Sequence, residues 1–152
     1  MGASEAKVEV GRIWGRGIEW DAIRTLLASD ARTEMGRDRA LTASPLTETS
    51  EVQAALDLTT EARRALALEG APPLDGVHDV RPALDRAGAE GTALDGTDLL
   101  LFVPLLDCAS RLVAYAGAVK PVAPALAATA EGLPRLRELR DRLRQALPGD
   151  GA

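Results

Sequence analysis

The sequence predicts an all-α fold of about seven helices joined by short turns. Three observations carry that reading. Apolar residues make up 46% of the chain, mostly Leu and Ala, while aromatics are only 3%; this composition favours helix over strand. The apolar positions recur at spacings of three and four rather than two. Pro and Gly fall where those segments stop. At 152 residues the chain suits one domain or a large piece of one, able to bury roughly 68–70% of its unfolded surface.

Taken in order, residues 1–17 hold four glycines and read as a flexible N-terminal tail, loose or forming a short strand around Val8, Val10 and Ile13. Residues 18–152 read as one helical segment. Ile18, Ala22 and Leu26, with Ile23 and Leu27, mark a first helix from Glu19 to about Ala31. Thr33 can cap a short second helix carrying Met35, Ala40 and Leu41, which Ser44-Pro45 ends because a residue before proline avoids the α region. Thr47 or Thr49 can cap a third helix reaching Glu69; Gly70 then suits a left-handed stop, and Pro72-Pro73 follows. Pro82 fits the first turn of a fourth helix that ends between Gly88 and Gly91. Asp95 reads as the N-cap of a fifth, with Asp98 in its first turn. Pro104 lies inside that helix and should kink it; Gly117 and Pro121 close it. An Ala-rich helix, Val122 to Glu131, and a last one, Leu133 to Leu147, complete the pattern. No fixed-period repeat argues for a solenoid.

Composition narrows the function classes. A formal net charge of -5 speaks against a general polyanion-binding surface. The single cysteine, Cys108, permits neither an intramolecular disulfide nor a cysteine zinc cluster and points to a reducing, cytoplasmic setting. The N-terminus has no apolar h-region. The longest apolar run, Leu99 to Leu106, contains Pro104 and is far short of a membrane span, so no membrane is expected.

The familiar catalytic sets are missing: no GxxxxGK[ST], no GxSxG, no HExxH. His78, the one histidine, has no nucleophile nearby in sequence and reads as a solvated turn residue. Cys108 falls on an apolar helix side, as a small core residue. Gly36-Arg37-Asp38-Arg39 reads as a solvated charged face, with Gly36 allowing a close helix crossing. The chain is therefore expected to be non-catalytic, with no metal or cofactor residues of its own.

The stretch LPRLRELRDRLRQAL, residues 133–147, carries the most pattern. Leu133, Leu136, Leu139 or Arg140, Leu143 and Leu147 form an apolar stripe, and Leu136, Leu139, Leu143 and Leu147 are interface candidates for a second copy or a continuing chain. Arg135, Arg137, Arg140, Arg142 and Arg144 occupy the rest and are the nucleic-acid candidates, weighed against a solvated face whose arginines match the helix dipole. Glu138 precedes Arg142 by four, the favourable direction for an ion pair.

Four spaced stretches resemble one family. IEWDAIRTLLASDARTEMGRDRALTASPLTETSEV is similar to the opening of the bacterial MutS-related proteins of the branch that lacks the mismatch-reading domain and carries a C-terminal Smr nuclease: L-E-(F/W)-D-x-I-x-x-x-L, A-x-(S/T)-x-x-G-R, a P-x-T turn, then x-E-V. TTEARRAL, residues 59–66, resembles its T-x-E-A-x-x-L-L helix, and residues 72–100 resemble its P-L-x-G-(I/V)-x-D-(I/V)-x-x-x-L-x-R-A stretch. LRDRLRQALPGDGA resembles the segment ending in D-x-x-G. The resemblance covers roughly residues 18–152 in the right order and excludes the tail. It implies the first, incomplete part of a helical core in an ATP-driven dimeric clamp acting on branched DNA or on ribosomes. The family's ATP and Mg site and its nuclease site lie further along the chain, so none of their residues maps here. Pro104 departs from a helix the family keeps continuous, and LPGDGA stops where the family continues. The family core is closed by later helices, so uncovered apolar faces, a fragment or self-association are expected. The expectation is a non-catalytic scaffold segment. A free-standing adaptor that self-associates through the last helix and a weak nucleic-acid-binding module are the alternatives.

Overall fold

The computed structural model describes residues 19–89, 91–134 and 136–147. The tail, expected to be loose or a short strand, lies outside the described residues, as does Arg135. Among the described residues every regular element is helical: α1 (Trp20–Ser29), α2 (Glu34–Leu41), α3 (Thr49–Glu69), α4 (Arg81–Ala87), α5 (Gly96–Leu100), α6 (Phe102–Val119), α7 (Pro124–Glu131) and α8 (Arg137–Ala146). Only Leu101 separates α5 from α6. The two together are the kinked fifth helix read from the sequence, which leaves seven rods. The break falls where proline puts it. Pro104 cannot donate to the Leu100 carbonyl and its ring crowds that turn.

The helices form two compact units, one through Glu48 and one from Thr49. In the first, α1 and α2 form a helical hairpin. Thr33 caps α2, its Oγ1 accepting from the Gly36 N–H at 3.0 Å, the role its position predicts. Gly36 is small for this cap rather than for a helix crossing, since an added Cβ would lie 3.0 Å from the Thr33 hydroxyl. Trp20 Nε1 donates to the Ala43 carbonyl at 3.2 Å, tying the start of α1 to the end of α2 just before Pro45. Ala28 and Ala40 are buried here, whereas Ile23, Leu26 and Leu27 are exposed.

In the second unit α6 is the central rod, packed against α3, α5, α7 and α8. Its innermost core is small: Val119 at 0% exposure, Ala123 at 0% and Ala65 at 1%. Tyr115, Val122 and Leu126 pack around them. Alanines let helix axes approach closely, so this hub relies on shape rather than on bulk. α3 ends as read, with Gly70 at φ 77 after Glu69, although Thr49 is its first helical residue and not its cap. α4 carries proline in its first turn and α5 is capped by Asp95, which accepts from the Asp98 N–H at 2.8 Å. The segment Gly96–Val119, 24 residues, is long and apolar enough to cross a membrane by length and composition. Within it Asp98, Asp107, Cys108, Arg111 and Tyr115 bond to other elements of the protein.

Two helix starts move relative to the sequence reading. α7 begins at Pro124, not Val122, because proline suits the first turn. α8 begins at Arg137, not Leu133. Pro134 keeps Leu133 out of the α region, and Leu136 stands before the helix at φ -81, ψ 54.

Candidate functional site

Three constellations in the second unit hold side chains in defined geometry, all of them on α6 or α7. The first is a carbonyl clamp. The loop after α3 runs along α6, and three α6 side chains on one face take its main-chain oxygens. Tyr115 Oη donates to Gly70 O at 2.9 Å, Cys108 Sγ to Pro73 O at 3.2 Å and an Arg111 guanidinium nitrogen to Asp75 O at 3.2 Å. Only the Cys108 bond is partly buried; the other two lie at the surface, so the three donors tie the loop to the rod. Burial pushes the Cys108 thiol above its ordinary value, which disfavours the nucleophilic thiolate. Burial also raises Tyr115, with the Glu69 carboxylate adding to the effect. The same loop explains its own motif. Gly76 sits at φ 77, a conformation that favours glycine. Asp79 accepts from the Arg81 N–H at 3.0 Å and from its guanidinium, and these bonds hold its carboxyl below the usual range. Val80 is buried at 5% exposure.

The second is a cap supplied from another helix. Ala123 stands before α7 and has no side chain to cap it. Glu61 of α3 does so instead, its Oε2 accepting from the Leu126 N–H at 2.8 Å. A carboxylate at a helix N-terminus satisfies an orphan donor and meets the positive end of the dipole. Next to it an apolar groove of about 230 Å³ runs between α3, α6 and α7, lined by Leu66, Leu112, Tyr115, Leu126 and Ala130 among others.

The third is the arginine helix. Asp107 of α6 faces two arginines one turn apart on α8: Arg140 Nη1 at 3.4 Å and Arg144 Nη2 at 2.5 Å. Arg140 also pairs with Asp141 at 2.7 Å. These bonds, Asp141 first, raise the Arg140 pKa above the ordinary arginine value. Leu143 and Leu147 are half-buried against the rod, with the Leu147 Cδ2 3.6 Å from where a Cβ on Gly96 would sit. Leu136 and Leu139 are exposed, at 46% and 44%. The predicted stripe is therefore split: Arg140 takes the inward place that Leu139 offered to fill, because Asp107 stands opposite. The expected Glu138–Arg142 pair is not formed among the described residues, in keeping with the small gain of a fully solvated pair.

Of the five arginines proposed for nucleic acid, Arg135 lies outside the described residues and Arg140 and Arg144 are neutralised by Asp107 and Asp141. Arg137 and Arg142 are exposed. His78 is exposed in its loop, and Arg37, Asp38 and Arg39 are exposed on α2. No group of three or more His, Cys, Asp or Glu that could hold a metal occurs among the described residues. Sequence reasoning missed Asp107, Glu61 and the clamp. The available signals were a lone acid inside the apolar run around residue 107 and the acid of the TTEARRAL motif.

No family model and no solved structure matches the chain. Known proteins do. It is 38% identical over 138 residues to the endonuclease MutS2 of Anaeromyxobacter sp. (strain Fw109-5), 90% of this chain and 17% of that protein. It is 32% identical over 136 residues to the endonuclease MutS2 of Symbiobacterium thermophilum, again 90% of this chain and 17% of the relative. Against the endonuclease MutS2 of Geobacillus kaustophilus it is 39% identical over 94 residues, 62% of this chain and 12% of the relative. The chain is thus similar to a segment of MutS2 proteins and spans between 12% and 17% of the length of these relatives.

Proposed function

We propose that this MutS2-related segment is a non-catalytic helical scaffold piece of a MutS-related ATPase clamp acting on DNA or on ribosomes. The observation that carries the reading is the use to which its motif residues are put. Trp20 ties a joint, Glu61 caps a neighbouring helix, Gly76 turns a loop and Asp79 accepts from the first N–H of α4. Each holds backbone in place, and among the described residues none converges with a second titratable group on a cavity. The groove beside Glu61 is lined by apolar side chains and by Tyr115 and Thr129; their hydroxyls already donate to Gly70 O and Leu126 O. Such a surface suits packing against further helices better than it suits chemistry.

The test is a chimera. Residues 19–147 replace the matching segment of a full-length MutS2 relative, and the chimera is assayed for soluble expression, ATP hydrolysis and nuclease activity. A scaffold role predicts that the relative's activities survive, while the isolated chain shows none above background. Turnover of ATP or cleavage of DNA by the isolated chain overturns the reading, as does a soluble, folded chimera that has lost both activities.

A further inference from the structure

We propose that α8 is an ionic strap, held on α6 by Asp107 and released as ionic strength rises. Four observations combine. α8 buries no residue completely and lacks a side-chain cap at its start. It has 10 residues, below the roughly 12–15 that an isolated helix needs to be even marginally stable in water. α8 is therefore helical only while docked. Its inward face offers two half-buried leucines, Leu143 and Leu147, and two arginines that share one carboxylate. Those arginines are four apart, a spacing at which like charges repel along a helix; Asp107 between them converts that repulsion into attraction. Removing Asp107 thus takes away the anchor and restores the repulsion together.

The charged groups remain open to solvent. Side-chain exposure is 24% for Asp107, 22% for Arg140 and 54% for Arg144. Interactions of such groups are screened over roughly 10 Å at 0.1 M salt and far more tightly above it. The approach to α8, with Gly132 and Pro134 before it, contributes no anchoring cap of its own. Undocking frees one segment bearing Leu136, Leu139, Leu143 and Leu147 on one edge and Arg137, Arg140, Arg142 and Arg144 on the others. Docking half-buries Leu143 and Leu147 and pairs Arg140 and Arg144, and undocking adds them to Leu136, Leu139, Arg137 and Arg142, which are already exposed.

Amide hydrogen exchange on the full chain, from about 0.05 to about 0.5 M NaCl, tests this. Protection across residues 140–147 should fall several-fold as salt rises, while protection in α6 from Cys108 to Val119 stays constant. Asp107→Asn should already be less protected than wild type at low salt, and its protection should no longer fall as salt rises, because salt then screens only the restored arginine repulsion. Arg144→Gln, a milder change, should lie between. Protection of α8 that is independent of salt overturns the proposal, as does an Asp107→Asn chain with wild-type protection. Loss of protection in Leu143→Ala with none in Asp107→Asn would assign the docking to apolar contact and overturn it equally.

Discussion

On one face of α6, Val119 meets Ala65 of α3 and Ala123 at the foot of α7, and all three are closed to solvent. Elsewhere on the same rod, Asp107 meets Arg140 and Arg144 of α8, and none of the three is buried. The first contact is held by shape, the second by charge. Close-packed small side chains leave no room for error and owe little to salt. Exposed ion pairs tolerate error and depend on the medium. One helix thus carries a permanent joint and a conditional one, and their failure modes should differ.

The sharpest way to break the permanent joint is Val119→Ala. Val119 is fully enclosed, so loss of two methyl groups and the cavity left behind should cost about 2–3 kcal/mol in urea unfolding, without altering the salt response. Glu61→Ala comes next. It strips the remote cap from α7 and should cost about 1–2 kcal/mol and speed amide exchange at Leu126, while Glu61→Gln, which keeps an acceptor oxygen, should recover most of the loss.

Tyr115→Phe removes one bond of the loop clamp and should cost about 0.5–1 kcal/mol. It also carries a pH signature. The folded-state pKa of Tyr115 is raised, so the fold binds the tyrosine proton more tightly than the unfolded chain does. Its contribution is complete below the unfolded value near 10 and is lost as pH rises through the folded value. Urea midpoints of wild type should therefore fall faster than those of Tyr115→Phe in that alkaline window. The smallest effect belongs to Arg142→Ala. Arg142 is exposed and does not reach Asp107, so stability should move by less than about 0.5 kcal/mol and the salt response should remain. An Arg142→Ala chain that loses the salt response would show that general positive charge, rather than the Asp107 pairing, holds α8.

How much of this was legible depends on range. Thr33, Gly70, Pro82 and Asp95 were readable because each acts within a few residues of itself, by capping, opening or stopping its own helix. The kink ahead of Pro104 was readable for the same reason. Glu61 and Asp107 were not. Glu61 caps a helix 65 positions away from it, and Asp107 pairs with arginines 33 and 37 positions away, distances over which local pattern carries no information. Leu139 shows the limit within one helix. Periodicity placed Leu139 and Arg140 side by side at the edge of the stripe, and only the acid across the interface decided which of them turned inward.

By itself, then, the sequence determined the all-helical class, the order and number of the helical rods, several of their ends and the MutS-related motif order, because backbone propensity, capping and proline stereochemistry are local. The tertiary structure decided which small residues became the hub, which motif acid became another helix's cap and which arginines were paired with Asp107. Those choices follow from what a side chain meets across a fold, and a burial or an ion pair exists only once its partner has been brought there.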